Sequence, residues 1–221
     1  MKKIITRSAL ALALLLLLYV VGILLYGTFN DWVPPEREVL QNTGAEAAPV
    51  IEDSLLSFVT WNLGFGGLGA ESEFFFDHGN MYLSMGRMVR APRPAVEKNN
   101  TGITQFAGSS ASDFFLFQEV DFHSKRGYYT NQHERVLNEL PGYSAYFATN
   151  YRSPLVPIPI FEPWHLYGEV ESGLSTYSKY QPYESVRLQL PGSFGWPVYL
   201  FQLDRCVALH RFRVEGGKEL V

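Results

Sequence analysis

The chain has a single cysteine, Cys206, in 221 residues, which excludes an intramolecular disulfide and a cysteine-built metal cluster. Its position in an apolar run reads as a buried structural thiol. Charge is scarce too: 18% of residues are charged, the formal net charge is −4 and the pI is near 5.7. The sequence has no basic patch of the kind that tracks a nucleic-acid backbone, which counts against nucleic acid as the partner. What it has in quantity is apolar material, 47% hydrophobic and 15% aromatic residues. Once a short anchor is set aside, that is enough for the core of one domain but not of two.

Lys2, Lys3 and Arg7 precede a leucine-rich stretch without charge over residues 8–29. At about 1.5 Å per residue this stretch crosses a hydrocarbon core of roughly 30 Å, so it reads as a transmembrane helix over residues 1–30. The competing reading is a cleaved secretory signal. That would have an apolar region of about 7 to 15 residues ending in an Ala-x-Ala-like site, and none is visible around Tyr26, Gly27 and Thr28. The basic flank on the amino side, set against Asp31, Glu36 and Glu38 around a lone Arg37, places the rest of the chain outside the cytoplasm. Tyr26, Phe29 and Trp32 suit the outer interface. Residues 31–53 are polar, contain proline and lack sustained periodicity, as a linker does.

The domain proper is expected over residues 54–221. Residues 55–61 (LLSFVTW) read as a buried strand running into a glycine-rich loop, and residues 113–117 (DFFLF) as a second that stops at Gln118 and Glu119. Between them Val96, Asn99, Ile103 and Phe106 recur at helical spacing. A helix near 131–140 leads to strands at 143–148, 173–178 and 184–190. A long extended run at 203–214 turns through Glu215-Gly216-Gly217-Lys218 into a short return strand. A three-residue return leaves most of its partner's edge unpaired, so the sequence is expected to continue beyond Val221.

Asn62 and Glu119 end neighbouring strands, where an amide and a carboxylate can converge on one hard cation. Either alone reads as a turn asparagine or a strand-end acid. Three segments in order carry more: Thr60-Trp61-Asn62-Leu63-Gly64, then residues 113–121 with Gln118-Glu119-Val120-Asp121, then Ser172-Gly173-Leu174-Ser175. With Asp204-Arg205 opening the last strand, they resemble the endonuclease/exonuclease/phosphatase superfamily of metal-dependent phosphoesterases. The resemblance covers residues 55–221. It implies a two-sheet α/β sandwich with outer helices, Mg²⁺ (or Mn²⁺) held at Glu119 with help from Asn62, and hydrolysis of a phosphoester substrate.

The sequence departs from that family in lacking the Asn-x-His-Leu, Gly-Asp-x-Asn and terminal Asp-His motifs, which carry the acid-base histidine and its aspartate. By the resemblance they fall past Val221, which makes this chain an inactive portion of the enzyme. The alternative is a non-catalytic membrane-anchored module of the same fold. His78, His123, His133, His165 and His210 read as surface or structural, with His123 nearest the glutamate in sequence. Arg126 could reach a substrate phosphate through its guanidinium, or sit solvated in a loop. Asn150 and Tyr151 could line the same cleft, or form a turn with an aromatic packed beneath it. The aromatic, proline-rich residues 151–167 are read as a packed loop or an apolar lip.

Overall fold

A computed structural model of the chain describes residues 2–192 and 194–221, and for Lys2 and His78 the backbone alone. The roles expected of those two side chains therefore lie outside the described residues. The fold is mixed α/β with two sheets, preceded by a long apolar helix, α1 (Lys2–Phe29), that could span a membrane.

After α1 come β1 (Arg37–Val39), β2 (Val50–Ile51), β3 (Phe58–Asn62), α2 (Arg93–Ser109), β4 (Phe114–Asp121), α3 (Gln132–Leu137), β5 (Ser144–Val156), β6 (Gly168–Ser178), β7 (Glu184–Gln189), β8 (Cys206–Val214) and β9 (Lys218–Leu220). One sheet runs β3-β4-β6-β5. The other runs β1-β7-β8-β2, with β9 also paired to β8.

Alternation along β4 explains how the layers assemble. Phe115 and Phe117 turn one way and join Ile103 and Ala107 of α2, Val136 of α3 and Tyr177 of β6 in the main core. Phe114 turns the other way and meets Phe212 of β8 edge-on, with ring centroids 5.2 Å apart. Cys206 likewise lies buried against Tyr146 and Ala148 of β5. Helices α2 and α3 thus cover one face of the β3-β4-β6-β5 sheet while its other face meets β8. Pro94, near the start of α2, fits there because the first helical N–H groups have no intrahelical acceptor, and Asn131 caps α3 by accepting from the Glu134 N–H.

Two expectations need correction. Residues 31–53 are not simply a linker: β1 pairs antiparallel with β7, β2 pairs parallel with β8, and Leu40 and Ile51 are buried. Short strands between polar residues have no periodicity for a sequence reading to detect. The strand expected at 55–61 is also not buried. It begins at Phe58, lies at the sheet edge beside β4 alone, and leaves Phe58 and Trp61 exposed. Its apolar side chains are only half covered because a neighbouring strand exists on one side.

Candidate functional site

The parallel pairing of β3 with β4 sets Asn62 opposite Gln118, so the two strands end side by side. At that level β4 is irregular. Phe117 pairs with Ser175 and Val120 with Gly173, leaving Gln118 and Glu119 to oppose Leu174 alone, a β-bulge. Glu119 takes φ of 52°, the left-handed region that a residue with a Cβ rarely occupies. The bulge re-aims its side chain toward β3. There the Asn62 Nδ2 donates to Glu119 Oε1 at 2.9 Å, while Asn62 Oδ1 accepts from the Gly64 N–H at 2.9 Å. Asn62 therefore ties down the following loop and orients the carboxylate with a single side chain.

Glu119 is half-buried, and its Oε2 accepts no hydrogen bond among the described residues. An anionic oxygen held in place with one lone-pair face open suits a hard cation, which takes one or two carboxylates and completes its shell with water and phosphate oxygens. Among the described residues no group of three His, Cys, Asp or Glu side chains converges, so water and substrate would have to provide most of that shell. Beside Asn62 opens a cleft of about 540 Å³ along the loop after β3 and the face of α2, lined in part by Trp61, Leu68, Ile103 and Lys98. Lys98 is paired there with Glu71 at 2.7 Å.

Arg126 is neither a solvated loop residue nor a free phosphate ligand. Asp121, fully buried, accepts from its Nε at 3.0 Å and its Nη2 at 2.7 Å. The guanidinium also donates to Ser172 Oγ and to the Tyr167 hydroxyl, and it lies 3.9 Å above the Phe65 ring. Burial alone would lower its pKa, but the Asp121 carboxylate outweighs that and holds the guanidinium charged. Burial pushes the Tyr167 hydroxyl up, with Arg126 acting against it and the Asp121 and Glu119 carboxylates adding to it. A buried ion-pair cluster thus adjoins Glu119 and braces the loop after β3 against β4 and β6.

No family model, no curated protein and no solved structure matches this chain. Its functional reading therefore rests on the arrangement of its own residues.

Tyr151 is also withdrawn from any open cleft. It is buried in a cluster with Phe75, Val156 and Tyr167, and its hydroxyl donates to the Phe201 carbonyl. Most of the aromatic stretch 151–167 is accordingly packed, although Trp164 at its tip is 80% exposed. Asn150 is the extra residue of a second bulge, since Thr149 pairs with Gly173 and Tyr151 with Ser172. The bulges of β4 and β5 thus flank β6 at one level. There β5 approaches so closely that a Cβ on Gly173 would collide with the Ala148 carbonyl oxygen.

Among the described residues no histidine hydrogen-bonds to Asn62 or Glu119. His133 is buried between Thr43 and Ser175, and His210 between Ser185 and Thr176. His123 lies at the surface, 3.9 Å from Glu169, and His165 lies 3.6 Å from Glu162. The pairing of Asp121 with Arg126 is not legible in the sequence. They stand five positions apart across a turn, a spacing that marks no regular element.

Proposed function

We propose that this chain is a membrane-anchored, metal-dependent phosphoesterase domain of the endonuclease/exonuclease/phosphatase type, with Glu119 as its metal ligand. The observation that carries the reading is the hydrogen bond from Asn62 to a Glu119 held in the left-handed region at a bulge. A backbone strain of roughly 1–3 kcal/mol persists where the surrounding structure over-determines it, and such sites cluster at functional positions. A bound magnesium or manganese ion supplies charge neutralisation at the phosphoryl oxygens of a phosphoester substrate.

The chain's own residues do the positioning. Asn62 fixes the orientation of the Glu119 carboxylate and leaves Oε2 open toward the ligand. The buried Asp121–Arg126 pair keeps the end of β4 and the loop after β3 in register, so the carboxylate cannot swing away. General acid-base chemistry falls to a group other than these. On this reading the two facing sheets form the superfamily's α/β sandwich. Helix α1 anchors the domain outside the cytoplasm, its basic amino end remaining inside. The acidic balance of the chain favours a small phosphoester or lipid headgroup over duplex nucleic acid as the substrate class.

Titration of the full chain in detergent with Mn²⁺, followed by electron paramagnetic resonance, tests the metal assignment without relying on turnover. One site is expected, and Glu119→Gln should abolish it while circular dichroism stays unchanged. An unchanged titration in that variant would refute the assignment.

A further inference from the structure

The loop joining β7 to β8 has no role in the reading above, and it exposes apolar side chains with no charged residue among them. Residues 190–203 contain no Asp, Glu, Lys or Arg. Five of their apolar side chains point outward: Leu190, Phe194, Trp196, Val198 and Leu203 are each at least 40% exposed. An isolated exposed apolar residue is ordinary, but five on one uncharged loop form a patch that water solvates poorly.

The loop's position accounts for this composition. Trp196 Nε1 donates to Thr28 Oγ1 of α1 at 3.2 Å. Gly27 is buried where the helix meets the loop, with Leu200 so close that a Cβ on Gly27 would lie 3.3 Å from its Cδ1. From below, Tyr151 and Ser153 of β5 donate to the Phe201 and Leu200 carbonyls, and Trp32, just after α1, covers the Arg187 guanidinium at the loop's base. The loop is therefore clamped to the last turns of α1. The uncharged stretch of that helix ends at Phe29, and its length is close to the roughly 30 Å of a hydrocarbon core. A segment fixed to Gly27 and Thr28 lies at the boundary where the core gives way to headgroups, the zone in which tryptophan and other amphipathic rings concentrate.

We infer that the 190–203 loop is a second membrane contact, inserting Phe194, Trp196 and Val198 into the interfacial region of the bilayer beside α1 and holding the domain at a fixed angle to the membrane. The partner is a lipid surface. The uncharged loop matches its apolar side, and the patch is continuous with the membrane-spanning face of α1. Helix α1 by itself would leave the domain free to tilt about residues 30–36, the short connection that joins it to β1. With the loop docked, the sheets and the cleft beside Asn62 keep one orientation to the bilayer. The inference rests on the anchoring assigned to α1 and is independent of the hydrolytic reading.

The 221-residue chain with Cys206→Ala, reconstituted in nanodiscs, provides the test. An environment-sensitive fluorophore is attached in turn at Leu18→Cys in α1, Phe194→Cys in the loop, and Glu215→Cys in the hairpin at the opposite end of β8. Quenching is then read from lipids carrying a nitroxide at shallow or deep acyl positions. The expected result is deep quenching at 18, loss of most emission with the shallow label at 194, and none at 215. Val198→Cys should repeat the result at 194 and guards against local misfolding of one variant. Quenching at 18 without any at 194 and 198 would overturn the loop contact and spare the anchor. Quenching absent at 18 as well would remove the anchor and the loop contact together. Equal quenching at 194 and 215 would mean non-specific adsorption and would also overturn the proposal.

Discussion

Asn62 and Glu119 stand 57 residues apart in sequence, yet the carboxamide of one donates to the carboxylate of the other across 2.9 Å at the ends of adjacent parallel strands. Asn62→Ala removes the orienting donor and leaves the ligand in place. It is therefore expected to weaken Mn²⁺ binding by about 10–100-fold, the usual effect of losing a partner that positions a metal ligand. Glu119→Gln should abolish binding. Equal affinities for wild type and Asn62→Ala by calorimetry would mean that the hydrogen bond is structural only.

The left-handed backbone at Glu119 predicts a conflict between stability and function. Glu119→Gly relieves a conformation that disfavours a residue with a Cβ by about 1–2 kcal/mol, so it should be more stable by about 1 kcal/mol than Glu119→Ala, which loses the same Asn62 hydrogen bond, and both should lose the metal. A glycine variant no more stable than the alanine variant would show that no strain is stored at the bulge.

The buried pair of Asp121 and Arg126 should behave as a unit. Asp121→Asn strands a guanidinium that is only 7% exposed and should lower stability by roughly 3–5 kcal/mol. Replacing both residues, as Asp121→Leu with Arg126→Met, should recover much of that loss, because no uncompensated charge is left behind. Urea midpoints of Asp121→Leu, Arg126→Met and the double variant in detergent give the coupling directly. Additive losses would rule out a specific pair.

Acid sensitivity follows from His133 and His210. Burial lowers each pKa to about 4, against about 6.5 for an unfolded histidine. Between those values the unfolded chain binds more protons than the folded one. Stability is therefore fully present above pH ~6.5 and declines as pH falls toward 4, with an upper limit of about 3 kcal/mol per ring. Unfolding midpoints from pH 7 down to 5.5, a window above most carboxylate titrations, should fall with pH. His210→Gln should flatten the slope, and a slope unchanged in that variant would contradict the assignment.

Where sequence and structure agree, the information was local. The leucine run without charge specifies α1, the helical spacing of Val96 and Ile103 specifies α2, and the short apolar run 113–117 specifies β4, because each is a pattern carried within its own segment. Asn62 and Glu119 were visible as strand-end polar residues for the same reason. The sequence could not announce that residues 31–53 contribute β1 and β2, since strands of two or three residues are stabilised by their partners β7 and β8 and not by any pattern of their own. Nor could it place Tyr151 in a packed cluster and Arg126 over Phe65, contacts made only once the loop after β3 folds back.

By itself, then, the sequence determined the apolar helix, the order of its main elements and the two residues that meet at the candidate site. Tertiary structure alone decided that Glu119 is turned toward Asn62 by a bulge, that Arg126 is bound to Asp121, and that an uncharged loop lies against the end of α1. The physical reason is that these three outcomes depend on pairing register and long-range packing. Backbone hydrogen bonds and buried charges must be satisfied by whichever segments the fold brings near, and neither local propensity nor periodicity encodes which segments those are.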